Sequence, residues 1–176
     1  RDRTGTLSSG PWQFNGMTNK GTIATVYMTR DYTLTLDANG GAVDPEQITV
    51  TYGSPVGELP VPTRTGYTFS GWTDENGEAV TAETVYTVAG DSTLTAAWTA
   101  KEYTISVDSG NGEEPSEIVA TYDQPVEVPV PTREGYTFGG WTDENGNPVD
   151  PAEPYDGSYT ELYAVWTANE YSITLN

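Results

Sequence analysis

The chain contains neither cysteine nor histidine among its 176 residues. Without cysteine there is no disulfide and no thiolate metal site. Without histidine, the commonest general base and the commonest metal ligand are both missing. Basic residues are scarce as well, because seven Lys and Arg stand against 26 Asp and Glu, a formal net charge of −19. These absences predict a protein that holds no cofactor and no metal ion.

The negative charge is unevenly distributed along the chain. Residues 32–100 carry nine acids and one base, and residues 101–176 carry fifteen acids and two bases, whereas residues 1–31 have a net charge of +2. Such a surface repels phosphate backbones, so nucleic acid is excluded as a partner, and it favours a soluble monomer. No apolar run approaches the roughly 18 residues of a membrane helix, so no membrane insertion is expected. Because the chain begins at Arg1, we expect it to be a piece of a longer protein.

One stretch of sixteen residues occurs twice. Pro62–Gly77 and Pro131–Gly146 differ only at two positions, Thr65/Glu134 and Ser70/Gly139, and are 69 residues apart. Self-similarity at a fixed period is the sequence signature of a repeat protein. It predicts repeat 1 over residues 32–100, repeat 2 over 101–168, the C-terminal part of a preceding divergent domain over 1–31, and the first strand of a truncated third repeat over 169–176.

The repeated stretch reads as a strand that enters a hairpin. Tyr67 and Phe69 share one face by the two-residue strand period, and a bulge at Gly71 would turn Trp72 to that same face. Asn76-Gly77 predicts a type I′ turn, in which both central residues have positive φ. The other apolar segments of the repeats alternate as strands do, among them 32–36, 47–52, 85–88 and 93–98, while no window shows a capped helical period. The predicted fold is therefore mostly β, α+β at most, with little helix.

The order of these segments resembles the Listeria–Bacteroides repeat, the internalin-B B-repeat type of bacterial surface proteins. The resemblance rests on an alternating Tyr-Thr-(Leu/Ile) strand, a Pro-x-Pro-Thr-Arg-x-Gly-Tyr-Thr-Phe-x-Gly-Trp core and a closing strand that ends in Trp, present in both repeats. It implies tandem ubiquitin-like β-grasp repeats in an elongated array, with the first and last strands of each repeat side by side. It also implies an extracellular, secreted or wall-attached protein without catalytic activity. Thr73 and Thr142 depart from the family, which often has Tyr after the Trp.

Four residues are candidates for ligand binding. Trp72 and Trp141 could form a platform on which sugars stack, but small repeats need such rings in their cores, and the core interpretation is favoured. Arg64 and Arg133 are the only basic residues within the two repeats apart from Lys101 in the joint. They could anchor an acidic ligand, although stacking on a neighbouring aromatic ring or pairing with a local carboxylate is favoured.

Two acidic segments could be interpreted as functional sites, one as a calcium loop and one as a glycosidase pair, but the sequence supports neither interpretation. Residues 74–78 and 143–147 superficially resemble calcium loops, but they lack the alternating ligands and distal glutamate of an EF-hand and are interpreted as hairpin turns. Glu113-Glu114 could suggest a glycosidase pair, yet nothing places two carboxylates in a cleft. An enzyme is therefore not predicted.

Together these features predict a non-catalytic segment that acts as a stalk or spacer and as an adhesion module. Short stiff joints and a repulsive acidic surface would keep the array extended. The alternative is a module that binds carbohydrate or a host protein through exposed aromatic rings, with a host glycan or host surface protein as partner. The predicted strand at 171–176 lacks its own sheet, so it is expected to fray or to pair with the sheet edge of another molecule.

Overall fold

The computed structural model describes residues 12–13 and 29–174, so most of the predicted preceding domain in 1–31 lies outside the described residues. Within these ranges the chain forms eleven β-strands, and no helix long and apolar enough to cross a membrane is found there. The strands are β1 (Trp12–Gln13), β2 (Thr29–Asp37), β3 (Gln47–Thr51), β4 (Tyr67–Thr73), β5 (Ala79–Val80), β6 (Ser92–Ala100), β7 (Glu102–Asp108), β8 (Ser116–Thr121), β9 (Tyr136–Thr142), β10 (Pro148–Val149) and β11 (Glu161–Ala168).

The first sheet is built around β2. Its strands follow the order β1-β2-β6-β4-β5, and β3 also pairs with β2. The β2–β3 pair is antiparallel, with Leu34 opposite Ile48, whereas β2 and β6 are parallel, with Leu36 opposite Leu94. The alternation predicted for residues 32–36 is confirmed, because Leu34 and Leu36 are both buried.

The second sheet has the same plan, with the order β10-β9-β11-β7-β8. β11 pairs in parallel with β7 and antiparallel with β9, and β7 pairs antiparallel with β8. The first and last strands of each repeat therefore lie side by side, and the mostly-β class is confirmed. The described residues contain no helix. The finer ubiquitin-like β-grasp assignment and the elongated array stay predictions.

Two compact units can be distinguished by backbone packing. One contains the described chain up to Arg64 together with Phe69–Trp98, and the other contains Thr65–Thr68 together with the described chain from Thr99 onward. The domain boundaries drawn from the sequence remain predictions.

Each repeat has its own hydrophobic core. In the first the buried residues are Leu34, Leu36, Val50, Val56, Trp72, Tyr86, Leu94 and Ala96. In the second they are Ile105, Val107, Ala120, Val126, Trp141, Tyr155, Tyr159 and Leu162. Full burial of one large apolar side chain is worth about 1.5–3 kcal/mol. Small repeats without a disulfide depend on these few residues for their stability.

A bulge of the kind predicted at Gly71 is present in repeat 2. In the pairing of β9 with β11, Val165 lies opposite Gly140 and Trp166 lies opposite Phe138, so Gly139 is the extra residue of a β-bulge. Gly140 has φ +120°, a conformation that L side chains rarely adopt. The bulge turns Trp141 to the face of Phe138, and their ring centroids lie 5.2 Å apart.

The type I′ turn prediction is wrong. Gly77 has φ +81°, but Asn76 has no positive φ, since the non-glycine residues with positive φ in the described ranges are Asn39 and Asp123. The Gly77 N–H donates to the Asp74 carbonyl at 3.0 Å, and the Asp74 N–H donates to the Glu78 carbonyl at 2.9 Å. The turn therefore runs from Asp74 to Gly77, and only its last residue needs the left-handed conformation.

Two further segments differ from their predicted strands. Residues 85–88 do not form a strand, and Val85 makes one isolated bridge with Pro55. Residues 171–174 also have no strand assignment, and Tyr171 and Ile173 are strongly exposed. Leu175 and Asn176 lie outside the described residues, so edge pairing through 171–176 stays a prediction.

The bulge predicts unequal effects of two adjacent substitutions in β9. Gly140→Ala should lower the free energy of unfolding by about 1–3 kcal/mol, because a side chain would have to adopt a strained positive φ. Gly139→Ala is the matched control: Gly139 has no positive φ, and an added Cβ would lie 3.4 Å from the Val165 carbonyl oxygen. Urea denaturation of both variants measures the difference. Equal destabilisation would contradict the role given to the Gly140 backbone.

Candidate functional site

The two tryptophans proposed as a sugar platform lie in the cores. Trp72 is 3 % exposed and Trp141 is 5 % exposed. The Trp72 indole N–H donates to the Pro60 carbonyl at 2.9 Å, which satisfies its one polar atom inside the repeat. Both indoles are therefore core residues, although Trp141 also lines a surface pocket of repeat 2.

The closing tryptophan of each repeat fastens a turn to the last strand. The Trp98 indole N–H donates to the Ala38 carbonyl at 3.0 Å, and that of Trp166 donates to the Ser109 carbonyl at 2.8 Å. Both rings are half-buried and stand edge-on to the phenylalanine of the same repeat, at 5.6 Å in each case. Their polar atoms thus serve the fold.

The two arginines have local structural contacts. The Arg64 guanidinium donates from Nη1 to the Asn39 carbonyl at 3.1 Å and packs beside Gly40. The guanidinium carbon of Arg133 lies 4.0 Å from the centre of the Tyr136 ring, so the predicted stacking on an aromatic neighbour is confirmed for Arg133. In repeat 1, the polar atoms of Arg64 and Trp72 are directed at different carbonyls, those of Asn39 and Pro60.

The acidic turns are held by their own backbone. Asp74 Oδ1 accepts the N–H groups of Asn76 and Glu78, each at 2.9 Å. Asp143 Oδ1 likewise accepts those of Asn145 at 2.9 Å and Asn147 at 2.7 Å. The hydrogen bond from the Glu78 N–H lowers the pKa of the Asp74 carboxyl below its usual 3.8. The side-chain amide of Asn147 lowers the pKa of Asp143 in the same way.

These contacts assign both aspartates a role in turn formation. Their carboxylates replace backbone acceptors in an Asx-type turn, which explains why Asp begins the loop in both repeats. Among residues 12–13 and 29–174, no group of three or more Asp and Glu side chains is arranged to hold a metal ion.

Repeat 1 contains an apolar pocket that no sequence motif indicates. Its volume is about 130 Å³. Its lining residues include the core residues Leu34, Val56, Tyr86 and Leu94, together with Asp74 and Glu75 of the acidic turn. The sequence holds one signal for it: the repeat offset falls from 69 between Trp72 and Trp141 to 68 between the closing tryptophans, so the two repeats differ just before their last strands.

The turn chemistry predicts a pH-dependent effect. Because the pKa of Asp143 is lowered on folding, its stabilisation is present above about pH 4, the ordinary range of an aspartate, and is lost as the pH falls through the folded value. Asp143→Ala should therefore lower Tm at pH 7, and the gap from the wild type should narrow as the pH falls below 4. Differential scanning calorimetry from pH 2.5 to 7 measures both effects.

The control for this experiment is Glu144→Ala. Glu144 is the exposed neighbour in the same turn, and its replacement should leave Tm nearly unchanged. A gap between wild type and Asp143→Ala that stays constant with pH would contradict the assigned role of the ionised carboxylate.

The chain is similar to parts of much longer proteins. It is 39 % identical over 152 residues to Internalin H of Listeria monocytogenes. This alignment covers 81 % of this chain and 26 % of Internalin H. It is 32 % identical over 152 residues to a "Putative Gly-rich membrane protein" of Evansella cellulosilytica, covering 82 % of this chain and 17 % of the relative. A "Putative membrane protein" of the same organism is 32 % identical over 150 residues, with 81 % and 22 % covered. The chain therefore spans about a quarter or less of each relative.

The two full repeats each match one family. The matched stretches are residues 32–97 and 103–165, which begin within β2 and β7 and end within β6 and β11. They include the bulged hairpin, the acidic turn and the parallel closing strand described above. The chain belongs to the Listeria–Bacteroides repeat domain family.

Proposed function

We propose that this segment is a non-catalytic stalk that spaces neighbouring domains of a bacterial surface protein. The observation that carries the proposal is the connection between the repeats: β6 ends at Ala100 and β7 begins at Glu102, so Lys101 alone lies between two strands. A connection of one residue allows far less freedom than a flexible linker of many residues. An array of repeats joined in this way would therefore stay extended.

The distribution of charge supports the same role. Repeat 1 has a net charge of −8, and the chain from Lys101 onward has −13. Like charges on successive repeats repel one another, which opposes folding back and self-association. The names of the relatives, two membrane proteins and an internalin, support a cell-surface location for the longer protein of which such a segment is part.

The described contacts favour structural roles for the residues that could have bound ligands. Trp72 and Trp141 are buried, and Asp74 and Asp143 hold their own turns. We therefore favour spacing over adhesion through exposed tryptophans, and we propose no reaction for this segment.

The spacer role can be tested with chains that carry two, four and six copies of the repeat. Small-angle X-ray scattering should give a maximum dimension that rises by a constant increment with each added pair. The matched control replaces Lys101, and its equivalent in every joint, by a ten-residue Gly-Ser linker. Flexible chains grow only with the square root of their length, so the linker should reduce the increment per repeat despite the added residues.

Two results would overturn the proposal. The first is a maximum dimension that hardly changes from two to six repeats, which would mean that the array collapses. The second is the same increment with the native joint and the flexible linker, which would remove the short connection as the cause of extension. Measurements at 20 mM and 500 mM NaCl separate the contribution of charge repulsion, since salt screens it.

A further inference from the structure

The two repeats differ at one position beside a core tyrosine. In repeat 1 the Tyr86 hydroxyl donates to the Gly90 carbonyl at 2.6 Å. In repeat 2 the Tyr155 hydroxyl donates to the Tyr159 carbonyl at 2.7 Å. Gly90 and Tyr159 therefore occupy equivalent backbone positions, but only repeat 2 has a side chain there.

In repeat 2 this side chain completes the core. Tyr159 is 7 % exposed and stands edge-on to Tyr155, with ring centroids 5.0 Å apart and an interplanar angle of 81°. Burial raises the pKa of the Tyr159 hydroxyl. In the same core cluster, Ile105 and Leu162 have no exposed surface. The ring of Tyr159 therefore covers an apolar site that the fold itself provides.

In repeat 1 the equivalent site has no ring, and a pocket there reaches the core leucines, whereas the pocket beside Tyr155 and Tyr159 in repeat 2 is not lined by Ile105 or Leu162. Leu34 and Leu94 are the counterparts of Ile105 and Leu162, and both line the pocket of about 130 Å³ beside Tyr86. An apolar cavity of about 150 Å³ is large enough to bind benzene. The pocket therefore has the size and the apolar lining that suit one aromatic ring.

The charged residues around the pocket favour a ligand of one sign of charge. Asp74 and Glu75 lie among its lining residues, and repeat 1 has a net charge of −8. The hydrogen bonds in the acidic turn lower the pKa of Asp74, so this carboxylate stays ionised at neutral pH. A positively charged partner is favoured by this field and a negatively charged one is repelled.

We propose that repeat 1 binds the phenol ring of a tyrosine carried on a positively charged segment of a partner protein. The partner's ring takes the place that Tyr159 fills in repeat 2, edge-on to Tyr86, and the neighbouring cationic side chains face Asp74 and Glu75. The site does not depend on the spacer role, because it lies within a single repeat.

Three small phenols test the chemistry of the pocket on the whole 176-residue chain. They are tyramine, p-cresol and 4-hydroxyphenylacetate, which carry a positive charge, no charge and a negative charge beside the same ring. NMR titration should shift the amide signals of Val85, Tyr86 and Leu94 while leaving those around Tyr155 unchanged. Affinities of fragments this small lie on the order of millimolar. Tyramine should bind about tenfold more tightly than 4-hydroxyphenylacetate at low salt, and the difference should shrink in 0.5 M NaCl.

A pair of substitutions at one position separates filling of the pocket from general disturbance. Gly90 has no positive φ, and an added Cβ meets no atom within 4 Å, so a side chain is accommodated there. Gly90→Tyr should place a ring over Tyr86 and reduce p-cresol binding at least tenfold. Gly90→Ala adds only a methyl group and should retain binding. Tyr159→Ala should open a second site, seen as new shifts at Tyr155 and Leu162.

Several outcomes would overturn the proposal. One is the absence of shifts at Val85, Tyr86 and Leu94 with all three phenols. Another is equal binding by Gly90→Tyr and Gly90→Ala, which would place the phenols elsewhere. If the same amides shift with protein concentration in the absence of phenol, the pocket is covered by a second copy of the chain and not by a basic partner. If Tyr159→Ala fails to fold, the comparison of Gly90→Tyr with Gly90→Ala still tests whether phenols bind in the pocket.

Discussion

A ladder of three aromatic rings holds each repeat together. In repeat 1, Phe69 stands edge-on between Trp72 and Trp98, with centroids 5.6 Å away on both sides. In repeat 2, Phe138 stands between Trp141 and Trp166 at 5.2 and 5.6 Å. Each such edge-to-face pair contributes about 0.5–1.5 kcal/mol beyond its burial. The triplet joins the bulged strand to the closing strand, and in a repeat without a disulfide no covalent link can replace it.

The triplet depends on backbone geometry as much as on the rings. In a regular strand the residues at positions 69 and 72 point to opposite faces, because side chains alternate with a period of two. The bulge adds one residue, and the glycine before each tryptophan takes the positive φ that this requires, +142° at Gly71 and +120° at Gly140. The indole N–H groups of Trp72, Trp98 and Trp166 then donate to backbone carbonyls, so each of these three rings has a partner for its polar atom. An added Cβ at either glycine would meet no atom within 4 Å, so these glycines act through their backbone conformation, which determines where the tryptophan side chain lies.

The sequence was sufficient to predict structural features that repeat or alternate along the chain. It was insufficient to predict features that depend on the contacts of a single side chain. The strand faces around Leu34 follow from periodicity, and the structure confirms them. The bulge before a tryptophan follows from glycine, and the strand register shows it in repeat 2, before Trp141. The type I′ prediction was wrong because Asp74 accepts two turn N–H groups, a competing local contact that the Asn-Gly signal does not include.

The pocket was missed for a related reason. Gly90 lies in a segment that carries no motif, and its meaning emerges only beside Tyr159 in the folded second repeat. A one-residue change in repeat spacing marked the place. It could not show that Tyr159 packs into the core of repeat 2, whereas Gly90 leaves the equivalent position of repeat 1 without a side chain. Composition and period describe what the copies share, whereas a binding site here arises from how they differ.

The parallel pairing of β2 with β6, and of β7 with β11, determines how each repeat would respond to tension on the chain. Parallel neighbours at the two ends of a repeat have their outer termini on opposite sides. Tension on the chain would therefore slide the two strands past each other, and it would strain all the hydrogen bonds between them together. An antiparallel pair pulled from one end would instead open one bond at a time. Each repeat is thus connected in the shear geometry, in which a short ladder resists force most strongly.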